Sequence, residues 1–175
     1  MIAPEFSRPI ALDRIGVTEK SFSFDASPEE CALLAKRLGI PAVGSLHTTL
    51  SVQLIERGRR VRLKGRVQAD LTQICVVTLE PIATRVDEEF ARQYTALDTR
   101  MPAEIVIDME EDDPPEPILD GQIDMGEAAA EHLALAMDPF PRRPDAVFEA
   151  PPEVFHGEPP KVSPFELLAL PRKKV

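Results

Sequence analysis

From Thr49 to Leu71 apolar and polar side chains alternate, and the alternation continues on both sides of Arg57-Gly58. Successive side chains of an extended strand point to opposite faces, so this pattern predicts two strands with one buried side each. Residues 47–73 are expected to form a long β-hairpin closed by a two-residue turn at Arg57-Gly58. With Glu56 facing Arg59, Leu54 falls opposite Val61, Val52 opposite Leu63 and Leu50 opposite Gly65, all on one side. The other side sets Gln53 against Arg62, Ser51 against Lys64 and Thr49 against Arg66. A slip of one residue would mix the two faces.

A third strand, 82–94, is expected to return antiparallel to 59–73. The register that sets Arg66 opposite Glu89 and Asp70 opposite Arg85 gives two favourable cross-strand pairs. It also lays Phe90 beside Gly65, where the missing side chain leaves room. Upstream, Phe22 and Phe24 alternate with Ser21, Ser23 and Asp25 as in a short strand. Ser27-Pro28-Glu29-Glu30 is a capping box with proline at the first helical position. Cys31, Leu34, Ala35 and Leu38 follow at helical spacing before Gly39, a natural stop, so Cys31 belongs to the buried stripe. Downstream, EIVIDM at 104–109 reads as a strand, EEDDPPEP at 110–117 as an exposed acidic loop, and Asp120-Gly121 as a tight turn. Asp124 and Glu127 make a second capping box, opening a helix that runs to Asp138 and is stopped by Pro139.

The expected fold class is α+β: a mainly antiparallel sheet with two principal helices and a proline-rich C-terminal tail. Pattern alone leaves open whether the sheet closes into a barrel. The organisation is an N-terminal arm at 1–18, a single domain at 19–138 with an acidic loop at 110–120, and the tail at 139–175. In the tail, Ser163-Pro164-Phe165-Glu166 offers a third capping box for a short helix, FELLAL.

Composition supports one domain. The 175 residues can bury one core, which must be mostly aliphatic because there are 8 Phe, one Tyr and no Trp. The first residues, MIAPEFSRPIALDRIG, lack the apolar region of a signal peptide, and no run reaches the roughly 18 apolar residues of a membrane span. Two cysteines are a poor framework for a secreted scaffold. A cytoplasmic protein with reduced thiols and no membrane contact is expected. The net charge of −10 belongs to one segment: residues 101–141 hold 12 Asp/Glu and no Lys or Arg, while 1–100 hold 14 basic against 13 acidic residues. An acidic total is therefore compatible with a basic surface elsewhere.

Candidate enzymatic chemistry is sparse. No G-x-G-x-x-G, Walker A loop or H-E-x-x-H occurs, and His47, His132 and His156 lie far apart in the chain. His132 sits at the margin of a helix seam, where a structural role is expected. Glu110, Glu111, Asp112 and Asp113 offer oxygen ligands but lack the spaced ligands and glycine of a calcium loop, which leaves a solvated loop. No catalytic set, metal site or cofactor is implied.

Cys75, Thr78, Leu79, Glu80 and Pro81 in QICVVTLEPI resemble the signature of the YceD family, the large ribosomal RNA subunit accumulation proteins, many of which carry C-x-x-C-L-E-P after a basic alternating strand. GQIDMGEAAAEHLALAMDPFPRRP at 121–144 and SPFELLAL at 163–170 are similar to later segments of that family. The resemblance implies a role in accumulation or maturation of large-subunit ribosomal RNA, with that RNA or a large-subunit ribosomal protein as partner, and no enzymatic activity. Thr78 stands where the second cysteine would be. A zinc site needs about four soft or imidazole ligands, so Cys75 is expected to be a packed residue, with Glu80-Pro81 shaping the turn.

The basic row Arg60, Arg62, Lys64 and Arg66 is the candidate nucleic-acid-binding face, running roughly 20 Å along one strand. Its neighbours repel by only about 0.6 kcal/mol per pair in water before salt screening, so a plain solvated face is also admissible. Docking of the acidic segment onto the row is a third reading. No aromatic residue interleaves these cations, so the face promises phosphate contact rather than base recognition. The alternative function is a protein-binding adaptor whose tail docks as a short helix anchored by Phe165 and Leu168.

Overall fold

The computed structural model describes residues 4–95, 115–118 and 120–148. The expectations for 104–109, 110–114 and 163–170, including Phe165 and Leu168, fall outside these residues. Among the described residues the strands are β1 (Pro9–Ala11), β2 (Lys20–Asp25), β3 (Ala42–Ile55), β4 (Arg60–Ile74), β5 (Pro81–Thr95), β6 (Glu116–Pro117) and β7 (Gln122–Asp124), with helices α1 (Pro28–Leu38) and α2 (Met125–Ala136). Five strands form an open sheet in the order β2-β3-β4-β5-β6, and β1 pairs with β7 in a separate ribbon. The fold is α+β, its sheet antiparallel except for the two-residue β6, and the described strands do not close into a barrel.

Alternation dictates the long hairpin as expected. Leu54 pairs with Val61, Val52 with Leu63, Leu50 with Gly65, Gln53 with Arg62, Ser51 with Lys64 and Thr49 with Arg66. The Arg59 N–H donates to the Glu56 carbonyl across Arg57 and Gly58, whose φ values of 56° and 89° suit a turn that follows the strand twist. The second register also holds: Gly65 faces Phe90, Arg66 faces Glu89 and Asp70 faces Arg85. Along β4, Val61, Leu63, Val67, Ala69 and Leu71 are buried while Lys64, Arg66 and Asp70 are exposed. Within the acidic stretch, Glu116 and Pro117 leave the expected loop and pair in parallel with Tyr94 and Thr95.

The first helix is capped as its sequence dictates, whereas only the Asp124 half of the second capping box forms, because the Glu127 carboxylate turns to Arg37. Ser27 and Glu30 form the reciprocal capping box, and Gly39 ends α1 at φ 67°. Asp124 caps α2 through the Gly126 and Glu127 N–H groups. One core cluster, with Leu34, Leu46, Val67, Leu71 and Leu133, joins the helices to the sheet. A second, with Ile10, Leu50, Leu63, Ile123 and Met125, lies under the β1–β7 ribbon. The N-terminal segment contributes the fully buried Phe6 as well as Ile10 and Ile15.

His132 stacks on Phe90 with centroids 4.0 Å apart, and its Nε2 accepts a 2.9 Å hydrogen bond from Arg92 Nε. Burial, reinforced by the Arg92 charge, lowers its pKa and keeps the ring neutral. Among the described residues no helix is long and apolar enough to cross a membrane.

Candidate nucleic-acid interface

Because the core claims the odd-numbered positions of β4, the even-numbered cations share the opposite face. Arg60, Arg62, Lys64 and Arg66 lie there in one row, but they are not electrostatically equivalent. Arg66 Nε lies 2.6 Å from Asp87 Oδ1, and Nη2 lies 2.9 Å from Oδ2. Its carboxylate partner is thus the diagonal neighbour Asp87 rather than Glu89, which stands directly opposite. Diagonal positions are within reach of a long side chain, and Gln68 adds a second donor to Asp87. Arg66 above all, with Gln68, holds the Asp87 carboxyl down at about 2.

Arg60 also acquires a partner that the sequence reading did not give it. Its Nε lies 3.2 Å from Glu56 Oε2 across the hairpin turn. Among the described residues, Arg62 and Lys64 have no ion-pair partner, and neither do Arg57 and Arg59 at the turn. The uncompensated charge is therefore displaced toward the hairpin tip. Asp70, expected to pair with Arg85, accepts a 2.8 Å hydrogen bond from the Ser45 hydroxyl.

Next to these cations is an open trough of about 940 Å³. Ser21, Ser23, Thr49 and Ser51 line it together with Lys64 and Arg66. Sequence reasoning missed the hydroxyl contribution. The signal lay in the short side chains of 21 and 23, once β2 is registered with Ser21 opposite Ser51 and Ser23 opposite Thr49.

The Cys75–Pro81 motif forms the turn between β4 and β5. Cys75 is fully buried at the end of β4; its N–H donates to the Glu80 carbonyl, and its carbonyl accepts from the Leu79 N–H. The N–H groups of Thr78 and Arg143 each lie 3.5 Å from Cys75 Sγ. The Thr78 hydroxyl first, then these backbone donors, hold the thiol well below its ordinary value, at about 6. The Thr78 hydroxyl also accepts from the Glu80 N–H at 3.4 Å, which ties it into the same turn. Leu79 adopts φ 58°, unusual for a bulky residue, and is 75% exposed.

The proline-punctuated segment after α2 closes on this turn. The Val76 N–H donates to the Pro141 carbonyl, and Arg143 Nη1 lies 2.7 Å from Glu80 Oε2. Gln73 secures the same junction by donating to the Asp138 carbonyl and accepting from the Thr84 hydroxyl. Among the described residues no group of three or more His, Cys, Asp or Glu is placed to hold a metal ion. Cys31 and Cys75 are both free and buried.

Comparison with curated proteins and with solved structures returns no match. The family model described as large ribosomal RNA subunit accumulation protein YceD matches residues 63–164, more than half of the chain. The match takes in Lys64 and Arg66, the whole Cys75–Pro81 turn, α2 and the segment that docks on that turn. The chain belongs to the YceD family.

Proposed function

We propose that this chain is a non-enzymatic cytoplasmic factor supporting accumulation of large-subunit ribosomal RNA, and that it touches RNA phosphates through the outer face of β4 and the hairpin tip. Membership of the YceD family supports the ribosomal RNA role. The observation that carries the contact is the adjacency of Arg62 and Lys64 on one face, with no carboxylate paired to either among the described residues. Cations already neutralised by Glu56 or Asp87 would give up an ion pair to reach a phosphate, whereas Arg62 and Lys64 give up only water. The partner is ribosomal RNA, alone or together with a large-subunit ribosomal protein.

The test is the salt dependence of binding to a labelled single-stranded RNA. Contacts from Arg57, Arg59, Arg62 and Lys64 give a slope of log affinity against log salt of about −2.8, at roughly 0.7 per phosphate. The double variant Arg62→Ala/Lys64→Ala flattens that slope by about 1.4. An unchanged slope removes the face from RNA binding.

A further inference from the structure

Beyond the trough, a groove of about 470 Å³, lined by Arg8, Pro9 and Ile10 among others, opens at the edge of β2 that no described strand pairs. Phe22 and Phe24 line it, their rings 6.0 Å apart at an interplanar angle of 14°. Strand pairing puts these rings on the inner face, opposite Leu50 and Thr48, but β2 is the edge strand, so they stay half-buried. Each packs against the core, which fixes the ring planes. Buried Met125 adds apolar surface, and the size is that of a small-molecule pocket.

Three cations line the same groove. Arg8 is neutralised by Glu30 at 2.7 Å, and its guanidinium sits 5.6 Å over the Phe24 ring. Arg14 and Lys20 are exposed and have no carboxylate partner among the described residues. Lys20 Nζ instead donates to the Arg14 carbonyl at 2.6 Å, which holds the two cations together. Aromatic faces beside uncompensated cations suit a ligand that is planar at one end and anionic at the other.

We infer that this groove receives a nucleotide of single-stranded RNA, its base against Phe22 and its phosphate on Arg14 and Lys20. The inference rests on the RNA reading above and adds a place where a base is held, which the outer face of β4 lacks. Continuity favours RNA over a peptide. Ser21 and Ser23 of the same strand border the trough beside Lys64, and β2 lies two strand spacings, about 10 Å, from β4. One polynucleotide can cross the trough and turn over the β2 edge. A peptide adding to that edge would draw on its backbone groups and leave both Arg14 and Lys20 unexplained.

The experiment uses the full chain and two labelled probes of equal length, a single-stranded RNA and an abasic ribose-phosphate oligomer, at matched salt. Phe22→Leu keeps the buried apolar bulk and removes the ring; it is expected to weaken the base-containing probe about tenfold and leave the abasic probe unchanged. Arg14→Ala/Lys20→Ala, on exposed positions that do not threaten folding, weakens both probes. Equal binding of the base-containing probe by wild type and Phe22→Leu, with Arg62→Ala/Lys64→Ala still weakening it, overturns the groove and leaves the RNA reading standing. Absence of binding of either probe to the wild type overturns both. Binding of an acidic apolar peptide that is lost in Phe22→Leu, while RNA binding is kept, reassigns the groove to a protein partner and overturns the inference.

Discussion

Gly65 lies directly opposite Phe90, and a Cβ on the glycine would stand 2.5 Å from Phe90 Cζ and 2.6 Å from Leu50 Cδ2. The aromatic ring occupies the space that any other residue would fill. Gly65→Ala is therefore an overpacking change and should destabilise the fold by about 1–3 kcal/mol in urea unfolding. Gly126→Ala should cost more, because its Cβ would meet the Phe6 carbonyl oxygen, a backbone atom that cannot rotate away. A Gly126→Ala variant as stable as Gly65→Ala would contradict this packing.

The Arg66–Asp87 pair makes part of the stability dependent on acid. The folded Asp87 carboxyl titrates at about 2, below the ordinary value of about 3.9. Its contribution is complete above the unfolded value and is lost as pH falls from about 4 through about 2. Asp87→Asn should lack that component, so urea midpoints of wild type and variant should converge as the pH drops through this window. Parallel curves across it would contradict the pairing.

Cys75 predicts a second pH dependence, at the other end of the scale. Its thiol is held at about 6, against about 8.5 in an unfolded chain. Between these values the unfolded state binds the extra proton, so stability should rise with pH from about 6 to about 8.5. Thr78→Val removes the leading hydrogen bond and should move thiolate ultraviolet absorbance toward the ordinary range, while Cys75→Ser removes the low-pH component and leaves the signal of Cys31. Thiolate absorbance in Thr78→Val that titrates as in the wild type would remove Thr78 from this role.

Leu79 holds a left-handed backbone conformation that costs an L-residue roughly 1–2 kcal/mol, and its side chain is largely exposed. Asparagine tolerates that conformation better. Leu79→Asn should raise stability by about 1 kcal/mol, read as an upward shift in the urea midpoint. A lower midpoint would mean that Leu79 makes packing contacts worth more than the backbone strain.

Much of this architecture was legible in the residues because strand periodicity and turn chemistry are local. Thr49 to Leu71 dictated both the register and the face of every cation, and Ser27, Pro28 and Gly39 bracketed α1. What stayed hidden depends on reach and on distance in sequence. Arg66 bonds diagonally to Asp87 because a long side chain is not confined to the residue facing it, and Arg60 reaches back across the turn to Glu56. The three-residue strands β1 and β7 are too short to show a period, yet Ile10 and Ile123 meet from opposite ends of the described chain. The docking of Pro141 and Arg143 on the Cys75 turn comes from a stretch with no periodicity at all.

The interleaving of β4 also sets the kinds of change it can tolerate. Swapping Arg62 or Lys64 alters the polar side alone, so charge can be tuned without disturbing Leu63 or Val67 beneath. Inserting one residue after Lys64 is different in kind: Gly65 to Leu71 would exchange sides with their neighbours, bringing Arg66 inward and turning Val67 out to water. The fold should therefore accept substitutions at even positions far more readily than single-residue insertions or deletions.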